Sequence, residues 1–340
     1  MKKFVKLKFD LSVLILLGHV FAISSQIDMN RAMEVAGLKE NEDEIRLIAA
    51  GDIMLSRSVE KKMIEKKNYK YPFIKTAELT SMADITFGNL ENPIIAGKTV
   101  NPSEMIFRTD PRSLTGLRYA GFDVLSLANN HIMNFGRRGL EETLKNLDQG
   151  GILHAGAGMG NGNISKSANL EVKGVKFAFL AYTYNADLKK TSKGEEYGVS
   201  NMDKERMRRE VAIAKEDSDV VIVSMHAGTE YRTRSGIFQQ DFAHSAVDAG
   251  ADLVIGHHPH VVQEIEKYNG KYIIYSLGNF VFDQMWSSET QLGSVAEIIF
   301  DGKEARSVRF YPVKIFDYAQ PSFIDGKEAD KILSRLKLKE

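Results

Sequence analysis

Three of the chain's eight histidines fall in the stretch ADLVIGHHPH, residues 251–260, as His257, His258 and His260. They follow an apolar run and Gly256 directly. Neutral imidazole is the commonest protein ligand for Zn, Mn and Fe, so this density points to a metal centre. Pro259 fixes its own φ and limits how far His258 and His260 can scatter. Other residues of metal-ligand type occur elsewhere at a comparable place. Asp52 closes IRLIAAGD, Asn89 and Glu91 close ADITFGNLE, Asn130 and His131 close FDVLSLANNH, and His226 with Glu230 follows DVVIVSM. Hard oxygen donors mixed with imidazoles suit one or two divalent ions, with Mn, Fe or Zn as candidates. A pair of such ions can activate water and stabilise a leaving oxygen. The candidate metal ligands are therefore Asp52, Glu91, Asn130, His226, His257, His258 and His260. His131, His226 and Glu230 are the candidates for proton transfer.

Each residue alone has a plainer reading. Asp52 suits a turn or helix cap, Glu91 a solvated loop, and the Asn129–Asn130 pair can satisfy loop backbone groups. Recurrence is what carries the argument, because each follows an apolar run of strand length rich in β-branched residues. Helical segments alternate with these runs, as at 137–148, 203–217 and 237–249, which predicts an α/β domain. In open α/β sheets, ligands bind beyond the carboxyl ends of the strands. If the strands lie side by side, their tips meet at one site. Asn269-Gly270 and Asp301-Gly302 mark β-hairpins late in the chain, and 327–338 reads as a charged terminal helix.

Lysine plus arginine balances aspartate plus glutamate at 45 each, and no basic stripe interleaved with aromatics occurs, so no nucleic-acid partner is expected. Cysteine is absent, which excludes disulfides, thiolate metal sites and cysteine nucleophiles. The N-terminus places four lysines in MKKFVKLKF ahead of the apolar run Leu11–Ile23. That layout is a secretory signal, or an uncleaved anchor that leaves the chain outside. The run is shorter than the about 20 residues of a membrane span. The expected organisation is a signal peptide or membrane anchor over 1–25, a linker over 26–44, one domain over 45–318, and a C-terminal helix over 319–340. The expected location is extracytoplasmic, either secreted or attached to the cell membrane through the N-terminal segment.

GDIML, FGNLENPI, FRTDP, AGFDVLSLANNH, NFGRRGL, GADLVIGHHPHVVQ and YIIYSLGNFVFDQ, in this order, closely resemble the CapA/PgsA family of poly-γ-glutamate capsule synthesis, over about residues 45–315. The resemblance implies a calcineurin-like metallophosphoesterase fold, a two-sheet β-sandwich flanked by helices in four layers, in place of an open sheet. Metallophosphoesterases hold their metals with an Asp-x-His, a bridging acid, an Asn-His, a lone His and a Gly-His-x-His. By that likeness Asp52, Glu91, Asn130 with His131, His226, and His258 with His260 take those places. Met54 stands where the first motif has histidine, Asn134 where aspartate is expected, and Ala227 where tryptophan is frequent. The resemblance further implies capsule-synthesis membrane proteins and poly-γ-glutamate as partners. Three functions compete: a membrane-associated component of capsule synthesis or export, a metal-dependent hydrolase of a phosphoester or related bond, and a metal-free scaffold.

Overall fold

The computed structural model describes residues 44–160, 164–184, 189–190 and 196–338. The N-terminal segments expected at 1–25 and 26–44 lie outside these, apart from Glu44. Along the chain run β1 (Glu44–Ile53), helix α1 (Arg57–Glu65), α2 (Ala77–Ser81), β2 (Ile85–Leu90), α3 (Leu114–Tyr119), β3 (Val124–Ser126), α4 (Gly136–Gly150) and β4 (Leu153–Ala155). Then come β5 (Ala157–Met159), β6 (Ala168–Val172), β7 (Val175–Thr183), β8 (Lys189–Lys190), β9 (Glu196–Val199), α5 (Lys204–Asp217), β10 (Val220–His226), α6 (Ile237–Asp248) and β11 (Leu253–His257). The chain continues through β12 (Ile265–Tyr268), β13 (Lys271–Ile274), β14 (Asn279–Val281), α7 (Ser288–Gln291), β15 (Leu292–Asp301), β16 (Glu304–Phe316), β17 (Gln320–Phe323) and α8 (Gly326–Arg335).

Apart from β5, β9 and β8, which form a small third sheet, these strands build two large sheets. One has the order β17-β16-β15-β1-β2-β3-β4, with β14 also pairing β1; the other runs β12-β13-β11-β10-β7-β6. The neighbouring strands β1, β2, β3 and β4 are mutually parallel, as are β7, β10, β11 and β13. Parallel strands buried on both faces read as continuous apolar runs, and VVIVSM in β10 is buried throughout. The sheets face one another across a core in which Leu47, Phe87 and Ile298 of the first meet Phe179, Ile222 and Ile255 of the second. A second core fills the outer side of the first sheet, where Met54, Leu125 and Phe280 meet Val59, Leu117 and Leu140 of the helices. A third joins Val223 and Val254 to Val211 of α5 and Phe242 of α6. The architecture is helix, sheet, sheet, helix, the four-layer sandwich.

The terminal helix read at 327–338 is present as Gly326–Arg335, while residues 320–323, placed by the sequence in a C-terminal helix over 319–340, form β17, an edge strand on the first sheet. Pro321 argues against a strand in general but is tolerated at an edge, where its missing N–H is not needed. Helix α8 then packs Ile332 with Val262 and Leu292, so this segment closes the sandwich and is not appended to it.

Candidate metal centre

The carboxyl ends of β1 and β2 supply the floor of the site. Asp52 lies in register with Asn89 of β2 on one side and Asn279 of β14 on the other. Backbones must approach closely here, since a Cβ on Gly51 would lie 2.0 Å from the Gly278 carbonyl oxygen. Asn89 ties the acids together. Its Nδ2 donates to Asp52 Oδ1 at 2.8 Å and to Glu91 Oε2 at 3.3 Å. Its Oδ1 accepts from Asn129 Nδ2 at 3.1 Å. Asn129 Oδ1 in turn accepts from the backbone N–H groups of His131 and Ile132, which fixes the turn carrying Asn130 and His131.

The facing sheet supplies the imidazoles. His226 and His257 end β10 and β11 in register with one another. The strand β11 continues through Gly256 to His257. Gly256 acts by closeness and not by turning, since a Cβ there would meet the Tyr275 carbonyl oxygen at 2.0 Å. The turn follows, at His258 and His260, whose φ values of 97° and 59° lie in the left-handed region. Backbone of this kind in non-glycine residues costs of order 1–3 kcal/mol each, and such positions cluster at functional sites. Here they turn His258 and His260 into the site. The ligand-type atoms of Asp52, Glu91 and His260 lie within 4.8 Å of one another, and so do those of Glu230, His258 and His260. His260 Nδ1 is 3.3 Å from Asp52 Oδ2, and its Nε2 is 3.8 Å from Glu91 Oε1. His226 Nε2 is 2.9 Å from Asn130 Oδ1, and its Nδ1 is 3.3 Å from Asn89 Nδ2.

Two expected residues take other positions. His257 Nδ1 is 3.3 Å from Asp52 Oδ1, and its ring faces Phe87 in the sandwich core. It touches Asp52 from behind and joins neither converging group. His131 directs Nδ1 at Asn134 Oδ1, 3.0 Å away, an oxygen that also accepts from Phe107 N at 2.7 Å. That oxygen can only accept, so Nδ1 carries the proton and the lone pair sits on Nε2, 4.0 Å from Glu91 Oε1. Asn134, which replaces the expected aspartate, therefore sets the tautomer of His131. Met54, where the missing histidine would stand, is buried in the apolar core on the outer side of the sheet.

Burial dominates the electrostatics. Burial, and then repulsion from Asp52, pushes the Glu91 carboxyl well above the usual range. Burial would raise Asp52 as well, but the adjacent His257 and His260 imidazoles hold it well below the usual carboxylate range. Burial presses His131 down to about 4 and His258 to about 3, the latter helped by His260. His226 is pushed well down by burial and by His258. His260 goes the other way. Burial opposes its charge, yet Glu91 and Asp52 raise it to about 9.

The donor set fits a divalent cation. Two carboxylates are fully buried side by side, and Glu91 Oε1 and His258 Nδ1 are buried with no hydrogen-bond partner. Unpaired buried groups of this kind are costly, and a cation satisfies them. His258, pressed towards its neutral form and with Nδ1 unpartnered, is ready as a ligand, since metal binding requires the deprotonated form. A cation among Asp52, Glu91 and His260 would supply the positive charge that the His260 proton supplies otherwise.

Asn89 is foreseen only as a strand-end residue of metal-ligand type, and Asn279 and Arg57 have no role foreseen from the sequence. Asn279 Oδ1 is 3.0 Å from His260 Nδ1, while its Nδ2 donates to Gln284 Oε1 and the Thr290 carbonyl. Its signal is present as a polar residue after Gly278, at the end of an apolar run like those of Asp52 and Asn89. Arg57 has φ of 49°, stands over the Phe107 ring at 4.7 Å and pairs with the buried Asp283. Phe107 in turn stacks on His131 with ring centroids 4.0 Å apart. No local pattern announces that contact.

Residues 46–284 match the family described as Bacterial capsule synthesis protein PGA_cap. The chain is 36% identical over 250 residues to the PGA biosynthesis protein CapA of Bacillus subtilis (strain 168), covering 73% of this chain and 66% of that protein. It is 31% identical over 268 residues to the capsule biosynthesis protein CapA of Bacillus anthracis, covering 76% of this chain and 65% of that protein. The matched region thus spans just under two thirds of these relatives. A crystal structure of a hypothetical protein from Thermus thermophilus shares the fold, with a TM-score of 0.51 at 16% identity over 79% of this chain and 99% of that one.

Proposed function

The chain belongs to the PGA_cap family of bacterial capsule synthesis proteins, and from that premise we propose that it is a divalent-metal-binding accessory component of poly-γ-glutamate capsule synthesis or export. The carrying observation is the convergence of Asp52, Glu91 and His260 within 4.8 Å, in a buried site where Glu91 Oε1 has no hydrogen-bond partner. Asp52, Glu91 and His260 would hold one ion, and Asn130, His226 and His258 supply further donors beside it. Mn, Fe and Zn all suit this oxygen and nitrogen set. The proposed location is outside the cytoplasmic membrane. Its support is the basic, then apolar N-terminal sequence, which would attach the chain beside capsule-synthesis membrane proteins and the growing polymer. Among the described residues no helix is long and apolar enough to cross a membrane.

A second reading, hydrolysis of a phosphoester or related bond, is favoured by His131. Bound metal would supply Lewis acidity and an activated water. His131 would accept a proton at Nε2, held in that tautomer by Asn134, while Phe107 stacked on its ring keeps water off one face. Both readings are tested in a capsule-forming bacterium that lacks its own family member. The wild-type chain restores the poly-γ-glutamate capsule and purifies with a divalent metal, and Asp52→Asn does neither. Full capsule from a metal-free Asp52→Asn variant would refute the role of the metal. No capsule from the wild type would refute the capsule assignment. Phosphodiester turnover by the purified chain that disappears in His131→Ala would favour the second reading.

A further inference from the structure

The floor of the centre is not its only convergence of ligands. Glu230 lies on the loop between β10 and α6, and its carboxylate meets ring nitrogens of His258 and His260 within 4.8 Å. Glu230 is exposed, whereas both histidines are buried, so the carboxylate stands on the solvent side of the pair. His258 Nδ1 is buried with no hydrogen-bond partner, and that residue is only 2% exposed. An imidazole nitrogen left without a partner in such a place is a ligand atom that a cation would satisfy.

Protein contacts hold the loop in position. Tyr231 N donates to the Pro259 carbonyl at 2.8 Å, so the residue after Glu230 is pinned to the residue between the two histidines. Gln263 Nε2 donates to the carbonyls of Arg232 and Arg234 at 2.8 and 3.1 Å. Gln239 Nε2 donates to Gln263 Oε1 at 2.9 Å, and the Gln239 amide packs against Gly228, where a Cβ would meet it at 2.7 Å. Tyr231 has φ of 64°, a third left-handed non-glycine residue at the same mouth. The chain therefore spends conformational energy on both loops to bring one carboxylate to two imidazoles.

We propose that Glu230 is a direct ligand of a divalent cation seated on His258 and His260, so that a carboxylate from the β10–α6 loop closes the centre from its mouth. This rests on the metal-binding reading above. One carboxylate and two imidazoles form a donor set that leaves positions open on the ion for a water or a substrate oxygen. Among the described residues, Glu230 is the carboxylate that meets this histidine pair from the solvent side.

The test uses the purified full chain and metal alone as the probe. Mn²⁺ and Zn²⁺ affinity is measured by titration calorimetry, and the visible spectrum is recorded after loading with Co²⁺. Even outer-shell partners of metal ligands cost about tenfold to hundredfold in affinity when removed, so Glu230→Gln is expected to weaken binding by at least about tenfold. The Co²⁺ absorption should also change in position and intensity, because one oxygen donor is lost. The metal-free variant should unfold at the wild-type temperature, since an exposed side chain is altered. Glu205→Gln, an exposed glutamate on α5, serves as control and leaves affinity and spectrum unchanged. A Glu230→Gln variant with wild-type affinity and an unaltered Co²⁺ spectrum would overturn the ligand role and leave the metal centre standing. A wild-type chain that takes up none of the three metals would overturn both.

Discussion

Replacing Gly256 with alanine tests whether the histidines are placed by backbone closeness. The added Cβ would lie 2.0 Å from the Tyr275 oxygen, 2.6 Å from its carbonyl carbon and 3.1 Å from the Ile274 oxygen. All three are backbone atoms, so no side chain can swing away. Ordinary contact begins near 3.4 Å, and the two backbones must part by about 1.4 Å. They belong to β11 and the end of β13, paired through Ile255 and Ile274. Overpacking of this kind costs about 1–3 kcal/mol. Losing one or two ladder hydrogen bonds adds about 1 kcal/mol each. The expected destabilisation is about 2–5 kcal/mol, against a total of about 5–15 kcal/mol for a folded domain. At about 2–4 °C per kcal/mol for larger domains, the melting temperature should fall by about 10 °C. Because His258 and His260 follow closely, the strand that moves also carries two residues of the centre. Calorimetric melting of the metal-free protein reads the first effect, and Mn²⁺ titration of the folded variant reads the second. A variant that melts within about 2 °C of the wild type and binds metal equally well would refute the close-approach argument.

Three further outcomes follow from the same geometry. Saturating Mn²⁺, at about one hundred times its dissociation constant, should stabilise the wild type by about 2.7 kcal/mol, seen as a rise of about 5 °C or more that EDTA reverses; an unchanged melting curve with Mn²⁺, Zn²⁺ and Fe²⁺ would count against the centre. Glu91→Gln removes a carboxylate that burial and Asp52 already press towards its neutral form, so urea unfolding in EDTA should show no loss of stability while elemental analysis shows loss of metal; a loss above about 2 kcal/mol would contradict that account of Glu91. Arg108→Met should cost about 3–5 kcal/mol in denaturant unfolding, because it leaves buried Glu60 without the guanidinium 3.1 Å away; a cost below about 1 kcal/mol would show that Glu60 is neutral without it.

The strands are legible in the sequence because their signal is local. Apolar runs rich in β-branched residues, each ending in a polar residue, mark β1, β2, β3, β10 and β11, and the paired carboxylates and imidazoles sit at their ends. Pairing is not legible. Asp52 beside Asn279 joins residues more than two hundred positions apart, and no periodicity reports which strand lies next to which. The resemblance supplies the sandwich, and with it the facing of the two strand-end rows, which composition and spacing alone leave as an open sheet. The edge strand at 320–323 is not legible, because Pro321 is compatible with a strand only at an edge, and the sequence does not show which strands are edges.

The division of labour within GHHPH turns on backbone angles that residue types do not announce. A strand alternates its side chains, so extending β11 past Gly256 would send His257 and His258 to opposite faces. His257 follows that rule and lies behind Asp52, against Phe87. His258 and His260 depart from extended backbone, at φ of 97° and 59°. β-Carbon crowding makes such angles unfavourable in L-residues, and Asn or Gly would adopt them at less cost. A sequence selected for stability alone would place one of those residues there. Histidine at both positions, with proline between them, places two imidazoles at backbone angles that cost an L-residue energy. Conflicts between propensity and structure are expected where a site demands a particular side chain. It follows that His258→Asn should stabilise the metal-free protein, by up to about 1 kcal/mol, while removing metal affinity. A destabilised His258→Asn variant that still binds metal would show that the histidine is kept for packing and not for its lone pair.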